Sequence, residues 1–206
     1  MRGPDLTDTT GCSNRNRWNG SPACDQAALW RRGAPRGRVT RIVRAANVRV
    51  ATINADAWTE LTQAASRALP RETGGLLLGY YIETEPHIVQ CVEVPDPTAT
   101  SVRYRRDATI AAATLRQTRA LGPENTTGYI GEWHSHPGPN GPSETDSLAL
   151  RQLAKAGAHD VLLVVVARTA TDWISHAREA NPDGNLQRLV LEVASSRKDN
   201  PHEFTN

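Results

Sequence analysis

A chain of 206 residues has room for one ordinary domain plus a tail, and too little for two comfortable ones. With 38% hydrophobic and 22% charged residues it reads as a soluble globular chain, and no run approaches the ~18 apolar residues of a membrane helix. The net charge of +2 conceals an asymmetry: residues 1–46 hold nine arginines and three aspartates, a balance of +6, which leaves the remainder near −4.

Residues 1–45 are rich in Arg, Gly, Pro, Asn and Thr without a helical or strand period, and read as a disordered basic arm. A solvated tail is the stronger reading of that arm and a nucleic-acid-binding segment the weaker, because charge runs are usually just solvated. The first thirty residues hold no apolar stretch of the signal-peptide kind. The three cysteines, Cys12, Cys24 and Cys91, are odd in number and form no CxxC pair, so a reducing cytoplasm is the expected setting.

The body then alternates between strands and helices. Val48–Ile53 suits a strand, and Asp56–Leu69 a helix with Trp58, Leu61, Ala65 and Leu69 along one stripe. Thr73–Ile82 and His87–Val94 are strands, the second closed by Pro95-Asp96-Pro97, whose prolines cannot donate to a ladder. Ala108–Leu121 is an Ala-rich helix ended by Gly122-Pro123. A strand over Tyr129–His136, a helix from Ser143 to about Ala158 and a buried strand over Asp160–Arg168 follow. Thr171–Arg178 and Leu186–Val193 are two closing strands around the turn-prone Asn181-Pro182-Asp183-Gly184. The order predicts one α/β (α+β) domain over 46–195, without internal repeats, and a flexible tail over 196–206.

The chemistry lies in Gly131-Glu132-Trp133-His134-Ser135-His136-Pro137, followed by Ser143-Glu144-Thr145-Asp146. On a strand, His134 and His136 face the same side. A helix starting near Ser143 brings Asp146 over from its first turn. Two histidines and a carboxylate can hold one zinc ion and leave a tetrahedral position for water, which separates a catalytic site from a structural one. Taken alone, Ser143-x-x-Asp146 is a capping box, and the histidines are polar strand-end residues. Their conjunction at a strand–loop–helix junction is what points to a metal.

A zinc hydrolase also needs a carboxylate that carries a proton to the leaving amine. Two are candidates: Glu132, on the same strand face as both histidines, and Glu72, which opens the strand Thr73-Gly74-Gly75-Leu76-Leu77-Leu78-Gly79. His87, His159, His176 and His202 are scattered and read as ordinary polar histidines, and Cys91 as a small buried hydrophobe.

Together, Glu72 with the strand it opens, His134-Ser135-His136-Pro137 and Ser143-x-x-Asp146 resemble the JAMM (MPN+) metalloprotease family. The phrase Gly131–Pro137 is similar to its prokaryotic JAB branch, often found beside ubiquitin-activating-like and ubiquitin-conjugating-like enzymes in bacterial defence operons. The resemblance covers about residues 46–195 and implies a cytidine-deaminase-like mixed central sheet flanked by helices. It implies that His134, His136 and Asp146 bind one catalytic Zn2+ and that Glu72 is the general acid/base. It further implies that Ser143 supports the tetrahedral intermediate and that Glu132 plays a supporting part. The family usually has seven residues between its second histidine and the serine, and this chain has six, Pro137–Pro142. A Gly/Pro loop absorbs such a deletion more easily than an oxyanion donor tolerates displacement, so the departure bears on Ser143 more than on the ligands.

The expectation is a zinc isopeptidase or peptidase cleaving after the C-terminus of a ubiquitin-like modifier. The modifier's tail would add to a strand edge beside the site, walled by the segment Pro97–Asp107 with Tyr104, Arg103, Arg105 and Arg106. A second expectation keeps the enzyme and makes a sulfur-carrier protein its substrate. A third, a non-catalytic scaffold or binding module, sits poorly with a chain that keeps all three ligands and Glu72.

Overall fold

The computed structural model of the chain describes residues 48–121 and 127–194. The basic arm expected over 1–45 and the tail expected over 196–206 lie outside the described residues.

Among the described residues ten elements follow one another in the expected order. Strand β1 (Val50–Asn54) runs straight into helix α1 (Ala55–Ala68), because Asn54 caps it: its side-chain oxygen accepts from the Ala57 N–H at 2.9 Å. The helix buries Ala57, Leu61, Ala64 and Ala65. Leu69, expected on that stripe, is 39% exposed, because the helix ends one residue earlier and Leu69 is its C-cap. Strands β2 (Gly74–Ile82) and β3 (Glu85–Glu93) form a hairpin. Helix α2 (Ala108–Leu121) starts where the Asp107 carboxylate accepts from the N–H groups of Thr109 and Ile110. Strand β4 (Gly128–His136), helix α3 (Glu144–Gly157) and strands β5 (Val161–Arg168), β6 (Trp173–Ala180) and β7 (Leu186–Ala194) follow.

The expected mixed sheet with helices packed on it is present, but it is not a simple flanked layer: it closes into a barrel in the order β1-β3-β2-β4-β5-β6-β7. Closure follows from β1, which runs parallel to β3 on one side (Thr52↔His87) and to β7 on the other (Val50↔Val190 through Asn54↔Ala194). The consequence reaches the site. Strand β2 is paired with β3 and β4, and β4 with β2 and β5, so the strand edge expected beside the histidines is occupied.

Period-two alternation then distributes the core. One face of all seven strands packs with α1: Ile53, Leu77, Ile88, Trp133, Leu162, Val164, Val166, Ala177 and Leu189 meet Leu61 and Ala65 there. The other face of β5 (Val161, Leu163, Val165) packs on Leu150 and Ala154 of α3, and Leu76 and Leu78 of β2 pack on Ala111 and Leu115 of α2. Strand β5 is therefore buried on both sides, as its unbroken apolar run requires, each large side chain stabilising the fold by roughly 1.5–3 kcal/mol. Gly131 lets β4 lie close on β5, since a Cβ there would overlap the Leu162 carbonyl oxygen. Cys91 is buried in the core, and burial pushes its thiol pKa up, so it is the inert hydrophobe expected. No helix among the described residues is long and apolar enough to cross a membrane.

Candidate metal centre

The last residues of β4 carry His134 and His136, and both neighbouring strands fix their position. On one side His134 stands opposite Gly74 of β2, and on the other opposite Val165 of β5. The antiparallel contact with β2 continues past its first residue: Ser135 N–H donates to the Thr73 carbonyl at 2.8 Å, and Thr73 N–H donates to Ser135 Oγ at 3.0 Å. Glu72 is thereby laid opposite His136. Ser135 turns inward and is 1% exposed, so the two histidines share the opposite face.

From the other direction comes the first turn of α3. Ser143 caps that helix and Asp146 completes a capping box, so the bland reading of Ser-x-x-Asp holds. The metal reading holds with it. His134 Nε2 lies 3.1 Å from His136 Nε2 and 3.5 Å from Asp146 Oδ1, and His136 Nε2 lies 3.8 Å from Asp146 Oδ2. One ligand atom from each of His134, His136 and Asp146 falls within a 4.8 Å span, so the group could hold a metal ion.

The donor set fits zinc. Ligand atoms about 2.0–2.1 Å from a tetrahedral centre stand roughly 3.3 Å apart, close to the separations found. His136 Nδ1 lies 2.7 Å from the Asn140 carbonyl, which can only accept, so Nδ1 carries the proton. A neutral His136 then presents a bare Nε2 to the cluster, the tautomer a metal needs. The Asn140 carbonyl comes from the six-residue loop Pro137–Pro142, and the ring of His176 on β6 lies under that loop at Gly141.

Glu72 stands beside the ligands and outside their group, its Oε1 4.0 Å from His136 Nε2. Burial raises its carboxyl pKa above the ordinary glutamate value; the nearby His136 and His134 and the Tyr104 amide pull the other way without prevailing. Burial also pushes Asp146 upward, but there His134 and the hydrogens of Ser143 win and hold it well below the usual carboxylate range. The two acids are thus tuned apart, one towards carrying a proton and the other towards staying charged.

Glu132, the other candidate base, is otherwise engaged. Its Oε1 meets Arg106 Nε at 2.5 Å and accepts from the Tyr129 hydroxyl at 3.4 Å. The Ser143 hydroxyl donates to Asp146 Oδ2 at 2.7 Å, so its hydrogen is directed at the ligand carboxylate. His159 bonds the Asp160 carbonyl at 2.7 Å and His87 bonds Thr52 Oγ1 at 2.6 Å, the ordinary polar roles expected of them. Sequence reasoning passed over the Asn140 carbonyl, for which no side-chain pattern exists, and took His176 for a bystander. It named Tyr104 and Arg106 as a groove wall without seeing what they touch. The Tyr104 ring occupies the space above Gly74, its Cε1 2.6 Å from where a Cβ would stand, and its hydroxyl donates to the Val94 carbonyl at 2.8 Å.

Residues 54–180 match the family described as prokaryotic homologs of the JAB domain. The fold is similar to the solution structure of protein DSY2949 from Desulfitobacterium hafniense, with a TM-score of 0.56 and 17% identity, covering 74% of this chain and 99% of that one. No curated protein matches the sequence.

Proposed function

This chain belongs to the family of prokaryotic JAB-domain homologues, and from that premise we propose that it is a zinc-dependent isopeptidase or peptidase cleaving after the C-terminus of a ubiquitin-like modifier. The observation that carries the reading is the convergence of His134, His136 and Asp146 on one point, with Glu72, whose proton affinity burial raises, at 4.0 Å from His136 and outside the ligand set.

A zinc ion held by His134, His136 and Asp146 supplies a Lewis acid and water activated at neutral pH. The chain's own residues do the rest. His136, oriented by Asn140, and Asp146, oriented by Ser143, present their donor atoms without rearrangement. Glu72 accepts a proton from the attacking water and delivers it to the departing amine nitrogen as the amide C–N bond breaks. Its raised affinity for the proton suits a group that must hold it between the two events. Ser143 serves first by fixing Asp146. Its hydroxyl reaches a developing oxyanion by rotating off Asp146 Oδ2, which keeps the Ser143 N–H at 2.6 Å. With β2 and β4 paired on both sides, the extended tail of the modifier is received by the segment 97–107, which borders Glu72.

Metal content of the purified protein and of Asp146→Ala tests the reading first. About one zinc per chain, lost in the variant, supports an open three-ligand site. Cleavage of a panel of ubiquitin-like and sulfur-carrier fusions then assigns the substrate class. Absence of zinc under reducing, chelator-free conditions overturns the hydrolase reading.

A further inference from the structure

The segment after β3 holds Glu72, and β4 holds that segment. The Glu72 main-chain N–H donates to the Thr100 carbonyl at 2.8 Å, and the Tyr104 amide faces the Glu72 carboxylate. Thr100 N–H donates to the Arg103 carbonyl at 2.9 Å, which folds the segment back on itself. At its base, Asp96 accepts from the N–H groups of Thr98 at 2.8 Å and Arg105 at 2.9 Å. One residue further, Arg106 Nε stands 2.5 Å from Glu132 Oε1, their side chains 21% and 17% exposed. Arg106 Nε itself has no well-formed hydrogen-bond partner, so the contact through that atom is charge pairing. Glu132 lies on β4 two residues before His134, on the face that carries both histidines. The strand that presents the metal ligands therefore also fastens the segment that positions Glu72.

We propose that the Arg106–Glu132 ion pair is a clasp that sets the place of Glu72 relative to the ligand cluster, which makes Arg106 and Glu132 positioning residues for proton transfer. The inference about catalysis rests on Glu72 being the proton carrier; the fastening of residues 96–106 to β4 does not. A partly buried charge pair suits the task, because neither partner finds an equivalent counter-charge if the segment shifts. A carboxylate displaced by about 1 Å can cost on the order of a hundredfold in rate.

The test is amide hydrogen exchange on the zinc-loaded full chain, wild type against Arg106→Met, Arg106→Lys and the double variant Arg106→Met/Glu132→Leu. The amides of Glu72, Thr100 and Arg105 report the segment, and those of β5 report the whole fold. In Arg106→Met the three reporters should exchange at least about tenfold faster while β5 keeps its protection. Zinc content should stay unchanged. Turnover should fall about a hundredfold with KM within about twofold of wild type, and Arg106→Lys, which keeps the charge, should recover part of both signals. The double variant leaves neither charge of the pair without its partner, so it isolates the loosening of the segment from a general loss of stability. Wild-type protection of the three reporters in Arg106→Met and in the double variant overturns the clasp. Loss of β5 protection in both also overturns it, since the opening is then global. A wild type that binds zinc and cleaves nothing would sink the proposed function, and the exchange data would still decide the clasp.

Discussion

The Asp146 carboxylate accepts the Ser143 N–H at 2.6 Å and the Ser143 O–H at 2.7 Å through Oδ2, and turns Oδ1 to His134 Nε2 at 3.5 Å. Helix cap and candidate metal ligand are one group, with a separate oxygen for each task. The two roles can therefore be separated by experiment.

Asp146→Asn keeps an oxygen that can accept the Ser143 N–H and loses the charge. In the presence of chelator it should unfold in urea close to wild type, while its zinc affinity should fall by more than about tenfold. Asp146→Ala should lose zinc binding and also about 1 kcal/mol of stability from the broken cap. Competition titration with a chromophoric chelator reads the affinities. Wild-type affinity in Asp146→Asn would reduce the residue to a cap.

Glu72→Gln should hold zinc and lose turnover by about 10²–10⁴-fold. Its stability carries a second signature. The folded-state pKa of Glu72 is raised by burial, so as pH rises the unfolded chain releases this proton first and is favoured by doing so. The cost to the fold sets in above the ordinary glutamate value, about 4.3, and grows until the folded pKa is passed. Metal-free Glu72→Gln should accordingly be more stable than wild type at pH 7, with the difference vanishing below about pH 4. Urea titrations between pH 4 and 8 in chelator measure it. A variant less stable than wild type at pH 7 would contradict the burial argument.

Zinc should raise the melting temperature and chelation should lower it, since a ligand at a hundred times its Kd stabilises by about 2.7 kcal/mol. Metal binding needs neutral imidazoles, so the zinc-dependent shift should shrink as pH falls through the range where histidines protonate. Calorimetry at pH 7.5 and pH 5.5, with zinc and with chelator, gives the comparison. The shift should be absent in His136→Ala; its persistence there would place the metal elsewhere.

Two glycines beside the site should answer differently to the same change. Gly131→Ala puts a methyl group into the Leu162 carbonyl oxygen across the β4–β5 ladder, and should cost about 1–3 kcal/mol or more. Gly138→Ala meets nothing nearer than Asn140 Nδ2 at 3.7 Å, and should be neutral. Thermal melts of the pair check this, and equal melting temperatures would contradict the packing described between β4 and β5.

The elements were legible because each is written in local periodicity: the alternation through His134–His136, the α1 stripe through Leu61 and Ala65, the unbroken apolar run of β5. The ligand trio was legible for the same reason, since two histidines and the capping-box aspartate lie within thirteen residues of one another. Barrel closure was not legible. It depends on β1 pairing in parallel with both β3 and β7, a long-range choice that the sequence of Val50–Asn54 does not announce. Glu132 was ambiguous because even spacing from the histidines describes a face, and says nothing of Arg106 waiting on another segment to neutralise it. Asn140 contributes through its main chain, where residue identity carries no signal.

The barrel seam also sets a timetable for the chain's birth. Val50 pairs with Val190, 140 residues further on, and Asn54 with Ala194. At about 5–20 residues per second, a ribosome delivers that partner on the order of ten seconds after β1 has been made. Until then β1 lacks the partner with its longer register, and the nascent chain carries an open hydrogen-bonding rim of the kind that recruits other strands. Strand β7 is the one that shuts it, so nascent-chain chaperones that shield such rims would matter most in the interval before β7 leaves the exit tunnel.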